Sequence, residues 1–456
     1  MRRGSAAAPV FVLAFAAVGA GSCVSLPPAR DVDAGEPPAC ESRGPDNDGD
    51  GYPSCGAPRN DCDDDDATIH PGARELCGDA IDQDCGGVDD DLDCVDEVVG
   101  NTTPTPATGE PWTLVNEALE IAFGRGTSPP GVYGPIQLLS RAGSGRQLLT
   151  VDAIVLGRFF AVSHTPDTWS WRSADAPSVF TVHVNGAAVT QVSTTWADGG
   201  DTGTSTFTMY PDGRIHRHDE VIVNRAAGNY LTSYINLDPT RLDHADWDTA
   251  TAPELLDLAT SMSYIRHDQT EPSHACLFSS TTGDRVIVTA RPVSGADGLR
   301  VMEGYQFPGP IHLAAIAFDW QHNAPVVTGT YAADLLVHVG VGTGARPCVD
   351  GGGVTAPFLS PPALSGPEGA SVYDPRTGSY AVGAGGAQVM AVTLAQPVPS
   401  LALHVTSVPN RHDPVLVRDN QRLVRGRDYH LQHGSDDVWL IVLGAVGTSG
   451  LRIDWP

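Results

Sequence analysis

The sequence predicts a mainly β protein in three parts: a small disulfide-rich module, a large antiparallel β-sandwich and a smaller C-terminal β-sandwich. From residue 112 onward, apolar and polar residues alternate over short runs such as SVFTVHVN, the pattern of strands with one buried face. Turn-forming pairs such as Asn185-Gly186 separate these runs and indicate antiparallel hairpins. Upstream, six cysteines lie between residues 40 and 94, where apolar residues are too few to build a core by burial alone.

The N-terminus has the order of an export signal. Positively charged MRRG precedes the apolar run AAAPVFVLAFAAVGAG, and small residues lead to Cys23. We therefore expect a signal peptide at 1–22. The stretch Ala20 to Cys23 resembles a bacterial lipobox, which implies a lipidated Cys23, a tether at 23–39, and a lipoprotein of the outer membrane or cell surface anchored by that lipid. The alternative is a standard export signal with an incidental cysteine.

Changes in composition set the expected boundaries of the mature chain. The cysteine-rich module is followed by a Thr/Pro-rich linker and then by the two sandwiches, which a Gly/Pro-rich connection separates. The expected parts are the module at 40–94, the linker at 95–111, the large sandwich at 112–347, the connection at 348–369 and the small sandwich at 370–456.

One segment of the large domain departs from the strand pattern. The sequence TAPE at 251–254 has the spacing of a helix capping box with proline in the first turn, and LLDLATSMSYI follows it. We therefore expect one short helix there.

The cysteine count suits an oxidising compartment. Without Cys23, eight cysteines remain and can pair completely, with three bridges in the N-terminal cluster and one downstream. The cluster allows fifteen connectivities, so its pairing stays open. Zinc is disfavoured because CxxC pairs are absent, and a catalytic cysteine is the less favoured use of the downstream pair. The disulfide cysteines are Cys40, Cys55, Cys62, Cys77, Cys85, Cys94, Cys276 and Cys348.

Negative charge is concentrated near the N-terminus. The formal net charge is -28, and residues 31–97 hold 22 acidic residues against three arginines. A nucleic-acid partner is not expected, because such proteins need a basic surface. The chain contains no lysine, which excludes lysine-based catalysis.

The acidic cluster contains a candidate calcium loop. The spacing Asp46-x-Asp48-x-Asp50-Gly51 turns alternate carboxylates toward one ion, while glycine at the sixth position permits the sharp bend. Position twelve, the closing glutamate of an EF-hand, is Ala57, so other carboxylates must complete the shell. Candidates are Asp61, Asp63 and Asp65, and a second array is formed by Asp82, Asp84, Asp89 and Asp90.

The same stretch resembles the MopE-like family of metal-binding motifs found in exported bacterial proteins. The similarity covers residues 46 to about 91 and rests on DNDGDG, DCDD, PGARELCGD and DQDC. It implies a metal-binding module. Ala80 and Gly86 depart from the family pattern and weaken the second array.

Calcium in a structural role is the expected cofactor of this module. Carboxylates are hard ligands, whereas copper, after which the family is named, prefers imidazole or sulfur. Closely spaced aspartates also repel one another unless cations bind between them. The alternative is an acidic, disordered tether.

For the large domain, residues 112–340 resemble galactose-mutarotase-like proteins and polysaccharide lyases in their strand pattern. His216 and His218 alternate on one expected strand and so share a face, followed by Asp219. These three are the catalytic candidates, as acid or base on a glycoside or uronic acid. The alternative is a solvated strand face beside a turn. Trp169 and Trp171 also share a face and are candidates for stacking on sugar rings.

Three hypotheses for the β-sandwich body follow from these patterns. The favoured one is a body that binds a glycan or another surface protein. The second is a carbohydrate-active enzyme, a polysaccharide lyase or glycoside hydrolase, that uses His216 or His218. The third is a body that only packs against neighbouring proteins.

Overall fold

The protein is described here by a computed structural model. The described residues are 44, 46–49, 51–54, 61–67, 69–71, 85, 112–125, 133–146, 148, 158–162, 178–198, 200–224, 230–248, 254–258, 264–266, 274–303, 314–322, 325–342, 348, 351–366, 369–409, 413–434 and 437–455. The chain divides into two compact units at His70–Pro71. The expected signal peptide, lipidated Cys23, tether and Thr/Pro linker lie outside the described residues.

The body is built almost entirely from strands, as the alternating pattern predicts. The strands of the large sandwich are β1 (Trp112–Val115), β2 (Leu119–Arg125), β3 (Tyr133–Arg141), β4 (Arg158–Val162), β5 (Ser178–Asn185), β6 (Thr190–Asp198), β7 (Asp201–Met209), β8 (Arg214–Val223), β9 (Tyr230–Leu237), β10 (His244–Asp248), β11 (Glu254–Asp257), β12 (Tyr264–Arg266), β13 (His274–Phe278), β14 (Asp284–Ala290), β15 (Gly298–Glu303), β16 (Ala314–His322) and β17 (Gly329–Val341).

These strands form three antiparallel sheets. The largest has nine strands in the order β11-β10-β13-β14-β17-β8-β7-β6-β5, a second has the order β12-β15-β16-β9-β4, and a third joins β1, β2 and β3. One buried core takes alternate residues from all three, for example Phe207, Phe318 and Ile121. The large domain is therefore the antiparallel β-sandwich that the sequence predicts.

The C-terminal part follows a short helix, α1 (Gly351–Leu359). Its strands are β18 (Leu364–Gly366), β19 (Gly369–Asp374), β20 (Ser379–Gly383), β21 (Val389–Leu394), β22 (Leu401–Thr406), β23 (Val415–Arg418), β24 (Gln421–Arg422), β25 (Tyr429–His433), β26 (Asp437–Val442) and β27 (Leu451–Asp454). They form a curled sheet in the order β24-β23-β27-β21-β18-β19-β20-β22-β26-β25, in which β20 and β22 are parallel. A second buried core fills the curl.

The two sandwiches share a buried junction. Ala188, Val189 and Tyr210 of the large sandwich form one apolar cluster with Ala402 and Ile441 of the small one. Polar contacts reinforce it, since the Tyr210 hydroxyl donates to the Thr377 carbonyl oxygen at 2.8 Å. Because buried aromatic and aliphatic contacts dominate interface energies, this junction fixes the small sandwich against the large one.

The prediction of a helix that starts at residue 251 is wrong. Residues Glu254–Asp257 form β11, which pairs with β10 along the edge of the nine-stranded sheet. The helix that does form, α1, lies in the expected Gly/Pro-rich connection and packs on β13, β14 and β17. Phe358 of this helix is buried, so tertiary packing outweighs the poor helix propensity of the three glycines at its start.

The downstream disulfide is confirmed. Cys276 and Cys348 are bonded, and both are buried in a small cluster with Phe278 and Ile287. The bridge links the nine-stranded sheet to the segment that leads into α1, across a sequence separation of 72 residues. Within the described part of the chain, no helix has the length and apolar character that a membrane span requires.

Candidate functional site

The first acidic segment bends into a tight loop. Asp46 Oδ1 accepts a hydrogen bond from the Gly49 amide at 2.9 Å. Gly49 and Gly51 have φ angles of 82° and 100°, a region that residues with a Cβ avoid. The glycines of the DxDGDG pattern are thus needed for the bend, and Asp46 closes it.

A second acidic segment, residues 61–67, lies against the first. The Asp61 amide donates to the Pro53 carbonyl oxygen at 3.2 Å, and the Asp63 amide donates to Asp61 Oδ1 at 2.9 Å. The Asn47 amide donates to Asp64 Oδ1 at 3.3 Å, which joins the two segments directly. Two acidic segments that are separated in sequence are therefore held against each other.

Two of these carboxylates have a buried oxygen that lacks a donor. Asp61 is 6% exposed, and its Oδ2 and that of Asp64 have no hydrogen-bond partner within the described residues. Burying a carboxylate oxygen without a donor or a counter-charge costs several kcal/mol at least. A bound divalent cation would remove this penalty, because carboxylate oxygens are ligands that hard cations prefer.

Five of the candidate metal ligands lie in the two joined segments. Asp61 is buried and Asp48 half-buried, whereas Asp46, Asp63 and Asp65 are exposed. Asp64 was not among the predicted metal ligands. It lies in a turn, where the alternate spacing that selected the other aspartates does not apply. Asp50, Asp82, Asp84, Asp89 and Asp90 lie outside the described residues.

Sulfur is poorly placed to serve as a ligand near these aspartates. Cys62 and Cys85 are both disulfide-bonded, so neither presents a thiolate. His70 stacks on Tyr52 with ring centroids 4.7 Å apart. The donor set that the described residues offer is dominated by oxygen. Cys40, Cys55, Cys77 and Cys94 lie outside the described residues.

In the body, His216 and His218 share one face of β8, as the alternation predicts, but their surroundings differ. His216 is 1% exposed at the junction of the sandwiches, with its ring near those of Tyr210 and Phe358. Burial, together with the nearby Arg214 guanidinium, lowers the pKa of His216 to about 3. His216 is therefore a neutral packing residue out of reach of solvent.

Asp219 points into the core of the large sandwich. Its two carboxylate oxygens accept hydrogen bonds from Arg217 at 2.8 Å each, and Ser233 Oγ donates to Oδ2 at 2.9 Å. Arg217 and Asp219 are both fully buried. This paired, bidentate ion pair ties the two main sheets together, because Ser233 belongs to β9 of the opposite sheet.

His218 is the candidate that remains accessible. Its Nδ1 lies 2.7 Å from Asp334 Oδ1 of β17, and both side chains are 22% exposed. Thr206 lies directly across from His218 on β7, and Ser193 continues the row on β6. A carboxylate that holds one ring nitrogen leaves the other for proton transfer, so His218 has the geometry of a general base.

The remaining sugar-binding candidates, Trp169 and Trp171, lie outside the described residues. Downstream, the Asp243 carboxylate accepts hydrogen bonds from the amide and hydroxyl of Ser280, at 2.7 and 2.6 Å. These bonds order the loop at Ser280. These contacts do not bring Asp243 to His218.

Solved structures that resemble this chain do so only weakly. A heparan sulfate lyase from Pedobacter heparinus is 10% identical over 62% of this chain and 41% of its own, with a TM-score of 0.33. The Slr1438 protein of Synechocystis is 11% identical over 53% of this chain and 99% of its own, with a TM-score of 0.35. Galactose 1-epimerase from Lactobacillus acidophilus is 12% identical over 51% and 95%, with a TM-score of 0.31. The chain thus spans about two fifths of the length of the lyase.

No curated protein matches the chain. The match to a family model is confined to the acidic module: residues 61–91 match the model Cu-binding_MopE, described as "Putative metal-binding motif". The matched segment begins at Asp61, the buried aspartate of the two described acidic segments. The N-terminal module therefore carries a MopE-like metal-binding motif.

Proposed function

We propose that this protein is an exported, lipid-anchored lipoprotein of the cell envelope. In it, a calcium-stabilised module would carry a β-sandwich body that binds a glycan or a surface partner. The observation that carries the calcium part is the pair of buried, donor-less carboxylate oxygens on Asp61 and Asp64, at the start of the family match.

Calcium is the cation that best suits this donor set. Aspartate oxygens, backbone carbonyls and water are the usual ligands of calcium, whereas copper favours imidazole and thiolate. Cys62 and Cys85 are disulfide-bonded, which leaves His70 as the one imidazole in the sequence between residues 40 and 94. The proposed role is structural, since crowded carboxylates repel one another until a cation neutralises them.

Export and anchoring rest on the N-terminal sequence. The order of charged, apolar and small residues before Cys23 supports export, and the lipobox-like ending supports lipidation. The Cys276–Cys348 disulfide suits an oxidising compartment. A globomycin-sensitive shift in the size of the expressed protein, absent in Cys23→Ser, would support the anchor, and an unchanged pattern would contradict it.

The calcium proposal is tested on the chelator-treated, disulfide-intact mature protein. We expect saturable heat on calcium titration and a rise in the unfolding temperature of the module. Asp61→Asn should weaken calcium binding about tenfold or more, because it removes one charged ligand. Glu220→Gln removes the same charge from an exposed site on β8 and serves as the control. No heat at millimolar calcium, or equal affinity in Asp61→Asn, would contradict the proposal.

A carbohydrate-active enzyme is the second candidate, and the His218–Asp334 pair is the observation that favours it. Its activity would appear as new reducing ends, or as unsaturated uronate absorbance, on incubation with polysaccharides. His218→Asn should abolish that activity, whereas His404→Asn, a change to another half-exposed histidine paired with an aspartate, should not. Equal activity in both variants would remove His218 from the mechanism.

A further inference from the structure

A groove of about 340 Å³ opens where the first hairpin, the β5–β6 turn and the small sandwich meet. Its walls come from four places that are far apart in sequence. They are the tip of the first hairpin with Glu117, the β5–β6 turn with Ala187, the β7–β8 turn with Met209, and His430 of β25. The volume lies within the range typical of small-molecule sites.

A carboxylate and an imidazole face each other in this groove. Glu117 Oε1 of the first hairpin lies 3.1 Å from His430 Nε2 of β25. The Glu117 side chain is 53% exposed and the His430 side chain 12% exposed. His430 Nε2 is buried but not aligned for a hydrogen bond. The pair thus bridges the two sandwiches with its hydrogen-bonding capacity largely unused.

The local structure presents Glu117 to the groove. Asn116 Oδ1 accepts hydrogen bonds from the amides of Ala118 and Leu119 at 3.0 and 2.9 Å, and Asn116 Nδ2 donates to the Tyr210 carbonyl oxygen. This Asx turn holds the backbone of the hairpin tip while leaving the Glu117 side chain to project. Glu117 is therefore held in place by a neighbour whose own hydrogen bonds are satisfied.

The chemistry of the walls restricts the ligand. Val115, which is 64% exposed, supplies an apolar wall, whereas Leu114 and Met209 line the groove from the edge of the buried core. None of the lining residues is an arginine, so the groove offers no fixed positive charge to an anionic ligand. A carboxylate next to an apolar wall suits a neutral ligand that carries adjacent hydroxyl groups on one side and C–H groups on the other.

We propose that this groove binds a neutral pyranose residue at the junction of the two sandwiches. Glu117 accepts hydrogen bonds from two adjacent hydroxyls, the C–H face of the ring lies on Val115, and His430 lies behind the Glu117 carboxylate. This assignment rests on the proposed glycan-binding function of the body and adds the site and the charge class of the ligand. Because the groove has walls from both sandwiches, a bound sugar also stabilises their junction.

The test is ligand-observed NMR saturation transfer on the full mature protein. The probes are the methyl pyranosides of glucose, galactose and mannose, together with glucuronate and galacturonate. Two variants address the groove: Glu117→Gln removes the charged acceptor, and Ala187→Trp fills the groove from its exposed rim. Glu220→Gln, an exposed carboxylate on β8, is the matched control. Thermal unfolding verifies that each variant is folded.

We expect saturation transfer to at least one neutral pyranoside, weakened about tenfold or more in Glu117→Gln and abolished in Ala187→Trp, with Glu220→Gln unchanged. Binding of saccharides that persists in both groove variants overturns the site and leaves the glycan-binding function standing. Stronger saturation transfer to the uronates than to the neutral pyranosides overturns the assignment of a neutral ligand. Absence of binding to every saccharide in the set overturns both the site and the glycan-binding function.

Discussion

Acidification should weaken the junction of the two sandwiches through His216. The folded protein holds this histidine neutral, with a pKa of about 3, because it is buried and lies near Arg214. In the unfolded chain its pKa is about 6.5. Below about pH 6.5, His216 binds a proton in the unfolded state but stays neutral in the folded state. The free energy of unfolding therefore decreases with falling pH until about pH 3.

The size of this effect follows from the separation of the two pKa values. Each pH unit between them contributes about 1.4 kcal/mol, so the free energy of unfolding should fall by about 2 kcal/mol between pH 7 and pH 5 through His216 alone. His338, whose pKa burial lowers to about 4, adds a change of the same sign. Unfolding free energies measured at several pH values on the wild type alone therefore report the summed contribution of His216 and His338.

The variant His216→Phe isolates the contribution of His216 to the pH dependence of the free energy of unfolding. A cavity of about 20 Å³ lies beside the imidazole and helps to accommodate the extra ring atom. Urea unfolding, followed by tryptophan fluorescence and circular dichroism, is measured at pH 7 and pH 5 for both proteins. The wild type should lose about 2 kcal/mol more than the variant between these pH values. Equal losses in the two proteins would refute the assignment of a neutral, buried His216.

Two further changes test the packing of the body. Gly378→Ala should destabilise the junction by a few kcal/mol, since a Cβ would lie 2.0 Å from His216 Nε2 at a φ of 71°, whereas Gly386→Ala, at a φ of 72° with open space, should cost only about 1 kcal/mol. Equal unfolding midpoints for the two variants would contradict this close approach. In the core, Arg217→Met should lower the free energy of unfolding by about 3 to 5 kcal/mol, because Asp219 would be left charged and unpaired. A double variant that also carries Asp219→Leu should recover part of that loss in urea unfolding, and a purely additive loss would contradict the ion-pair interpretation.

Sequence patterns correctly predicted the features that depend mainly on residues close together in the chain. Alternation predicted the strands β5 and β8, and it predicted that His216 and His218 share a face. Spacing predicted the acidic bend, because the positive φ angles at Gly49 and Gly51 are a local property. The helix expected at 251 failed for the opposite reason: an available sheet edge at β10 favoured a strand over a strong capping signal.

Sequence patterns were enough to predict a mainly β body, an acidic module with a metal-binding motif, and a paired Cys276 and Cys348. The role of each polar residue, in contrast, depends on the packing of the folded chain. That packing buries His216 between two sandwiches, pairs Asp219 with Arg217, and leaves His218 accessible beside Asp334. These outcomes depend on burial and on partners from distant strands, which fix the protonation and hydrogen bonding of a side chain and which periodicity along the chain does not encode.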